Sequence, residues 1–261
     1  MKLDFDENEA LDFTENNIDL INFCIKVDSS YRNAFSEDYV GSSAELIKKH
    51  WEFNKPRITE ICQQIDKENS THLAVSGHKK NPIKYDKINN ENNQGVAIVV
   101  DRIMSISNII ERIENIDLDL VNEIASSVKG ISKFSFASKF CTYVSRYKFG
   151  NIDGYSIYDS VISEILPYYE WKFLSNTKVH ARIKNNKEKN IVSTIENSFA
   201  NKDKFDYNGY NTLIGQIIKA INEKKGLNID RLTFDRLLWY YYKGDEKLRK
   251  SVLSKIPLEC I

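Results

Sequence analysis

Proline, cysteine and long apolar runs are all scarce in this sequence. Only four of the 261 residues are proline, whereas 41% are hydrophobic and 11% aromatic. Strict alternation of apolar and polar residues is rare, and spacings of three and four residues are common, which indicates helices. We therefore expect a folded, mostly helical, all-α protein.

Metal-binding spacings are also missing. Four cysteines and four histidines are scattered along the chain, and none of the cysteines lies at metal-ligand spacing from another. We expect no metal and no cofactor. Scattered single thiols are typical of a reducing compartment, so the sequence predicts a cytoplasmic protein.

No apolar run approaches the roughly 18 residues of a membrane-spanning helix. The N-terminus also lacks the basic and then apolar pattern of a secretory leader. The sequence therefore predicts neither membrane attachment nor secretion.

The net charge is zero, which argues against a simple basic nucleic-acid binder. Its distribution is uneven: residues 1–128 hold 14 Lys and Arg against 23 Asp and Glu, whereas residues 129–261 hold 23 against 14. The basic part could bind a polyanion while the acidic part meets a protein partner. Alternatively, an acidic and a basic face pack on each other.

Two regions follow from this pattern. Residues 1–116 are predicted to be an acidic helical region with a long exposed loop at 72–95, and residues 117–261 a basic helical region that carries the candidate site. The apolar helix predicted from Val96 to Ile110 should form the centre of the core. We expect two helical layers or subdomains that flank a cleft.

Two helices joined by a short turn are predicted between Asp117 and Tyr147. Apolar residues recur at helical spacing on both sides of Gly130, which suits a helix end because it lacks a Cβ. Backbone N–H groups in such a turn can bind a phosphate. An ordinary pair of packed helices would give the same pattern.

Asp159 lies three residues after Ser156 and just before an apolar helical pattern. This spacing is typical of a helix start in which the acidic side chain reaches back to the cap. A carboxylate held there also suits stabilisation of a developing cation or activation of a water. The structural and the catalytic roles are compatible.

The run GISKFSFASKFCTYVSRY, followed by GYSIYDSVISEIL, resembles the helix-hairpin-helix DNA glycosylase superfamily. Gly130 and Ile131 match the middle of the hairpin turn, Ala137 matches a small residue of the next helix, and Asp159 matches the catalytic aspartate. The resemblance covers about fifty residues. It implies a helix-hairpin-helix element, with Gly130, Ser132, Lys133 and Ser135 at the nucleic acid.

The resemblance also implies the activity. DNA would bind through the turn, a nucleotide would be flipped out, and the base–sugar bond of a damaged or modified base would be hydrolysed with Asp159 as the catalytic carboxylate. Lys139 could form a covalent imine with the sugar, or hydrolysis proceeds without one. Candidate pocket walls are Tyr155, Tyr158 and Trp239. The alternatives are a non-catalytic module that binds DNA or protein, and a toxin or phage-defence effector.

Overall fold

The computed structural model describes residues 10–27, 41–69, 71, 73, 94–127, 133–175 and 207–243. These residues form ten helices and no strand, which confirms the predicted all-α fold. In chain order the helices are α1 (Glu15–Val27), α2 (Ser43–His50), α3 (Lys55–Asn69), α4 (Gln94–Ser105), α5 (Ile109–Glu114), α6 (Asp119–Ala125), α7 (Phe134–Phe149), α8 (Ser160–Leu174), α9 (Tyr207–Lys225) and α10 (Arg231–Lys243).

The chain divides into two compact units. The central unit is Ser36–Ile157 and contains α2 to α7, and the terminal unit combines Met1–Phe35 with Tyr158–Ile261 and contains α1 and α8 to α10. The predicted boundary between residues 116 and 117 lies inside the central unit. We placed that boundary near the point where the charge of the sequence changes, whereas the compact units depend on which apolar faces pack together.

The charge asymmetry disappears when residues are counted by unit. The central unit holds 16 Lys and Arg and 16 Asp and Glu, and the terminal unit holds 21 of each. The division into compact units therefore does not follow the change in charge along the sequence.

Helix α7 is the centre of the central unit. Helices α2, α3, α5 and α6 all pack against it, and each residue from Phe136 to Ser145 is buried. A helix that is buried all round belongs in the middle of a core. It ends at Gly150, whose φ of +76° suits a residue without a Cβ.

The helix predicted over residues 96–110 is two helices in the structure. Helix α4 ends at Ser105 and α5 begins at Ile109, with Asn108 between them at a φ of +53°. Asparagine tolerates this left-handed conformation better than most residues do, so it accommodates the change of direction. Arg112 of α5 then bonds Glu123 of α6, with 2.7 Å between Nη1 and Oε2, and holds the two short helices together.

The terminal unit has an aromatic core. Helix α8 packs against α9 and α10, and α1 packs against α10. The ring of Phe13 stacks on Phe234 at 5.7 Å and meets the ring of Tyr169 edge-on at 5.4 Å. The Tyr169 hydroxyl lies 2.7 Å from that of Tyr242 and donates to the Leu11 carbonyl.

Among the described residues, no helix is both long and apolar enough to cross a bilayer.

Candidate functional site

Asp159 directly precedes helix α8. Its carbonyl accepts a 2.9 Å hydrogen bond from the N–H of Ser163, the first bond of the helix, so Asp159 occupies the N-cap position. The sequence had suggested a helix start at Ser156, with Asp159 one turn inside. The segment from Tyr155 to Ile157 is instead buried and not helical, because its aromatic and aliphatic side chains pack into the interior.

The Asp159 side chain is partly exposed. A carboxylate can stabilise a cationic transition state when it is held in a fixed position. Asp159 is therefore both reachable from solvent and held at a defined place in the backbone.

A cluster of tyrosines lies next to Asp159 in the terminal unit. The ring of Tyr158 meets that of Tyr210 edge-on, with 5.5 Å between centroids, and Tyr207 lies 6.2 Å from Tyr210. Burial raises the pKa of Tyr210 well above its usual value, and the nearby charges of Asp235 and Asp159 raise it further. The phenol therefore stays neutral near two carboxylates.

Asp235 brings a second carboxylate to this cluster. It is 9% exposed and lies on α10, four residues before Trp239. Residues four apart on a helix share a face, so Trp239, a pocket wall predicted from the sequence, lies on the side of α10 that carries Asp235. Trp239 is itself partly exposed.

The terminal unit therefore contains three of the predicted site residues, Asp159, Tyr158 and Trp239. Two more residues, Tyr210 and Asp235, belong to the same cluster and were missed from the sequence. The spacing of four residues between Asp235 and Trp239 was a usable signal for Asp235. No local pattern links Tyr210 to Asp159, because only the packing of α8 against α9 makes them neighbours.

Other predicted site residues belong to the central unit, namely Lys133, Ser135, Lys139 and Tyr155. The N–H of Lys133 donates to the Ala125 carbonyl at 3.1 Å and joins the end of α6 to the start of α7. Gly130 and Ser132, at the tip of the predicted hairpin, lie outside the described residues.

The side chains of both lysines are buried, Lys133 at 8% and Lys139 at 5% exposure. Burial lowers the pKa of Lys133, and the nearby charge of Asp66 partly opposes this. Lys139 directs its Nζ to the Ser135 hydroxyl, 3.0 Å away. The two cations predicted near a phosphate or a sugar thus point into the protein.

Tyr155 is 2% exposed, and its hydroxyl lies 3.2 Å from the Asp117 carbonyl. The side chain therefore anchors the segment before α6 to the interior of the central unit.

In the parts of the chain that the structure describes, no group of three or more His, Cys, Asp or Glu side chains is placed to hold a metal ion.

Comparison with known proteins gives one finding. A family model named HI_0787_N and described as an N-terminal domain matches residues 35–148. No curated protein and no solved structure matches the chain. The matched segment starts one residue before the central unit and ends nine residues before the end of that unit. The similarity thus covers Ser135 and Lys139 and stops before Asp159.

Proposed function

We propose that this protein binds DNA and hydrolyses the base–sugar bond of a flipped nucleotide, with Asp159 as the catalytic carboxylate. The observation that carries the proposal is the partly exposed Asp159 at the start of α8, beside the Tyr158–Tyr210 pair and Asp235. A carboxylate next to aromatic rings is the composition that cleavage of a base–sugar bond requires.

Each group has a role in the proposed reaction. Departure of the base leaves positive charge on the sugar ring, and Asp159 stabilises that charge or orients the attacking water. Tyr158 and Trp239, both partly exposed, stack on the extruded base. The aromatic rings also exclude water from the bond that breaks, which strengthens the attraction between the Asp159 carboxylate and the cationic sugar.

The proposed reaction is hydrolysis without a Schiff base. An imine would need the Lys139 amine at the sugar, but this amine is buried and bonded to Ser135. The helix-hairpin-helix, with Gly130 and Ser132 at the phosphate, and a cleft for the nucleotide belong to this proposal through the resemblance stated above. The biological context would be removal of damaged or modified bases, in repair or in defence against phage.

The test compares Asp159→Asn with the unaltered protein on single-stranded and duplex oligonucleotides that carry damaged or modified bases. Released base is measured by chromatography, and abasic sites are measured by alkaline strand cleavage. We expect Asp159→Asn to lower the rate of base release by a factor of about 10²–10³, since it removes one charge-stabilising group. DNA affinity, read by fluorescence anisotropy, should stay within about twofold, because the residue acts in the transition state.

The matched control is Asp19→Asn, which changes an exposed aspartate of α1 in the same unit. It should leave base release unchanged. Unchanged release by Asp159→Asn would remove this residue from the mechanism. DNA binding by the unaltered protein without base release from any substrate would instead identify a non-catalytic binding module.

A further inference from the structure

Three lysines meet at the C-terminal ends of helices α8 and α9 in the terminal unit. Lys172 of α8 and Lys225 of α9 share the carboxylate of Asp12, whose Oδ1 lies 3.6 Å from the first amine and 3.1 Å from the second. The Lys224 amine donates to the Phe173 carbonyl at 2.6 Å. Both it and the Lys172 amine lie within 6.0 Å of the centre of the Phe173 ring. We call Lys172, Lys224 and Lys225 the lysine cluster.

The lysine cluster carries more positive charge than its partners neutralise. Lysine amines are protonated near neutral pH. In the part of the chain that the structure describes, Asp12 is the one carboxylate that pairs with these amines, so three cations face one anion. The last carbonyls of a helix attract a cation, which explains the position of Lys224 but supplies only a partial negative charge. An excess of positive charge therefore remains at this end of the helix pair.

The cluster is accessible to a ligand. Lys224 and Lys225 are exposed, and 30% of the Lys172 side chain is exposed. An ammonium group has three hydrogen-bond donors, so a bond to Asp12 leaves donors for a second anion. Grouped amines bind polyanions well, because each phosphate that they neutralise releases counter-ions.

Helices α8 and α9 run in the same direction. Tyr158, just before α8, meets Tyr210 in the first turn of α9. At the other end, Lys224 of α9 bonds Phe173 of α8. Asp159 and the lysine cluster therefore lie at opposite ends of one pair of helices.

The length of α8 sets the distance between these ends. The helix is continuous from Ser160 to Leu174, so Asp159 and Lys172 are separated by about 20 Å at about 1.5 Å per residue. A nucleic acid strand advances about 3.4 Å per nucleotide and covers this length in about six nucleotides. The partly exposed ring of Trp171, next to Lys172, is of the kind on which a base stacks.

We propose that the lysine cluster binds the phosphate backbone of single-stranded DNA, about six nucleotides from the base that is removed at Asp159. The inference rests on the proposed function for the identity of the polyanion. The phosphates compete with Asp12 for the amines, so Asp12 is an internal counter-ion that the DNA displaces.

The experiment measures binding of the full-length protein to an undamaged, fluorescein-labelled single strand by anisotropy over a range of salt concentrations. The double substitution Lys172→Gln, Lys225→Gln should lower affinity about 10- to 30-fold at about 0.1 M salt, because two phosphate contacts are lost. The slope of log affinity against log salt should become shallower by about 1.4. Unchanged affinity and slope would overturn the proposal.

Two further variants separate charge from folding. Lys172→Arg with Lys225→Arg keeps both charges and should bind within about twofold of the unaltered protein. Asp12→Asn removes the counter-ion and should raise affinity about three- to fivefold, since the amines then meet no competing carboxylate. Weaker binding after Asp12→Asn, or loss of binding in the folded arginine variant, contradicts the assignment.

Lys219→Gln is the matched control. Lys219 lies on α9, is 76% exposed and pairs with Glu223 at 3.8 Å. It precedes Lys224 by five residues and so projects from a different face of the helix. Affinity should stay within about twofold of that of the unaltered protein. A loss as large as that in the double variant would show a general effect of charge and overturn the localised contact.

Single methylphosphonate groups, which lack the phosphate charge, test the distance on a strand with a modified base. The uncharged group should weaken binding about six nucleotides from that base, and it should have no further effect in the double glutamine variant. An effect at every position alike contradicts the stated distance.

The outcomes distinguish this inference from the proposed function. Binding that depends on the cluster, without base release from any substrate, refutes base release and supports the contact. Base release and binding that both survive the double substitution refute the contact alone. Polyglutamate and phosphatidylserine vesicles are the competing anions, and cluster-dependent binding to either of them in place of DNA would overturn the assignment to nucleic acid.

Discussion

The two units differ in which polar side chains they bury and which they leave partly exposed. In the terminal unit, the partly exposed carboxylate of Asp159 lies beside buried phenols such as that of Tyr210. In the central unit, the buried amine of Lys139 lies beside the partly exposed hydroxyl of Ser135. The first arrangement leaves a carboxylate partly exposed beside buried rings, and the second leaves a hydroxyl partly exposed and buries the amine that bonds it.

The residues of the sequence motif are divided between these two environments. The hairpin lysines and the aspartate are only 20 residues apart, from Lys139 to Asp159, yet they belong to different compact units. The exposure and the hydrogen bonds of each side chain depend on the residues that pack around it. The sequence motif therefore spans the boundary between the two units.

The largest effect should come from truncating a core aromatic in either unit. Phe140→Ala in the central unit and Phe234→Ala in the terminal unit each remove a fully buried ring, which should cost about 3–5 kcal/mol of unfolding free energy. Because each unit has its own core, hydrogen exchange read by mass spectrometry should accelerate only in the helices of the unit that carries the substitution.

Phe53→Ala is the control for this comparison. Phe53 is 38% exposed, so its truncation should change stability by less than about 0.5 kcal/mol. Faster exchange in all ten helices after either core substitution would show that the two units unfold as one.

A smaller effect is expected at Gly95, in the first turn of α4. A Cβ atom at this position would overlap the backbone carbonyl oxygen of Leu73 and lie 2.7 Å from its carbon. Backbone cannot move aside as a flexible side chain does, so Gly95→Ala should destabilise the central unit by about 1–3 kcal/mol. Urea unfolding of the full chain measures the change.

Gly150→Ala gives the matched comparison. It has no atom within 4 Å of a new Cβ but a φ of +76°, so only the conformational cost applies, about 1 kcal/mol. An equal or smaller effect at Gly95 than at Gly150 would mean that Leu73 adjusts at little cost.

Much of the helical architecture was predictable from sequence, because apolar residues at helical spacing need a buried face wherever they lie. The helices around Ile47, Ile61, Phe140 and Ile217 were all predicted, and Pro56 lies in the first turn of α3, as its missing N–H allows. The break at Asn108 was missed because the apolar spacing continues across it.

The candidate site was less predictable. The capping signature at Ser156 was overridden by burial of the segment around Tyr155, so the helix starts at Ser160. The inward direction of Lys133 and Lys139 depends on which helices surround α7, and a sequence pattern does not contain that information. Likewise, only the packing of α8, α9 and α10 brings Asp235 and Tyr210 to Asp159.

The smallest effect, and the one that separates the two units most directly, is their response to alkali. Burial raises the pKa of Tyr169 well above its usual value, and the hydroxyl of Tyr242 adds to the shift. Above about pH 10, the unfolded state releases this proton and the native state keeps it, so the stability of the terminal unit falls as pH rises. The slope is at most about 1.4 kcal/mol per pH unit for each such tyrosine.

Lys133 should do the reverse in the central unit. Burial lowers its pKa, so the native state releases its proton at a lower pH than the unfolded state does, and the contribution of Lys133 to stability rises with pH between the two values. The buried thiols of Cys62 and Cys141 act in the opposite direction in the same unit, because burial raises their pKa values. Urea unfolding between about pH 9 and 11, followed by hydrogen exchange in each unit, measures both trends. Tyr169→Phe should flatten the fall in the terminal unit, and Lys133→Met should remove a rising contribution from the central unit, which makes its slope more negative. If Tyr169→Phe leaves the slope of the terminal unit unchanged, or Lys133→Met that of the central unit, the buried phenol or the buried amine does not contribute to the response to alkali.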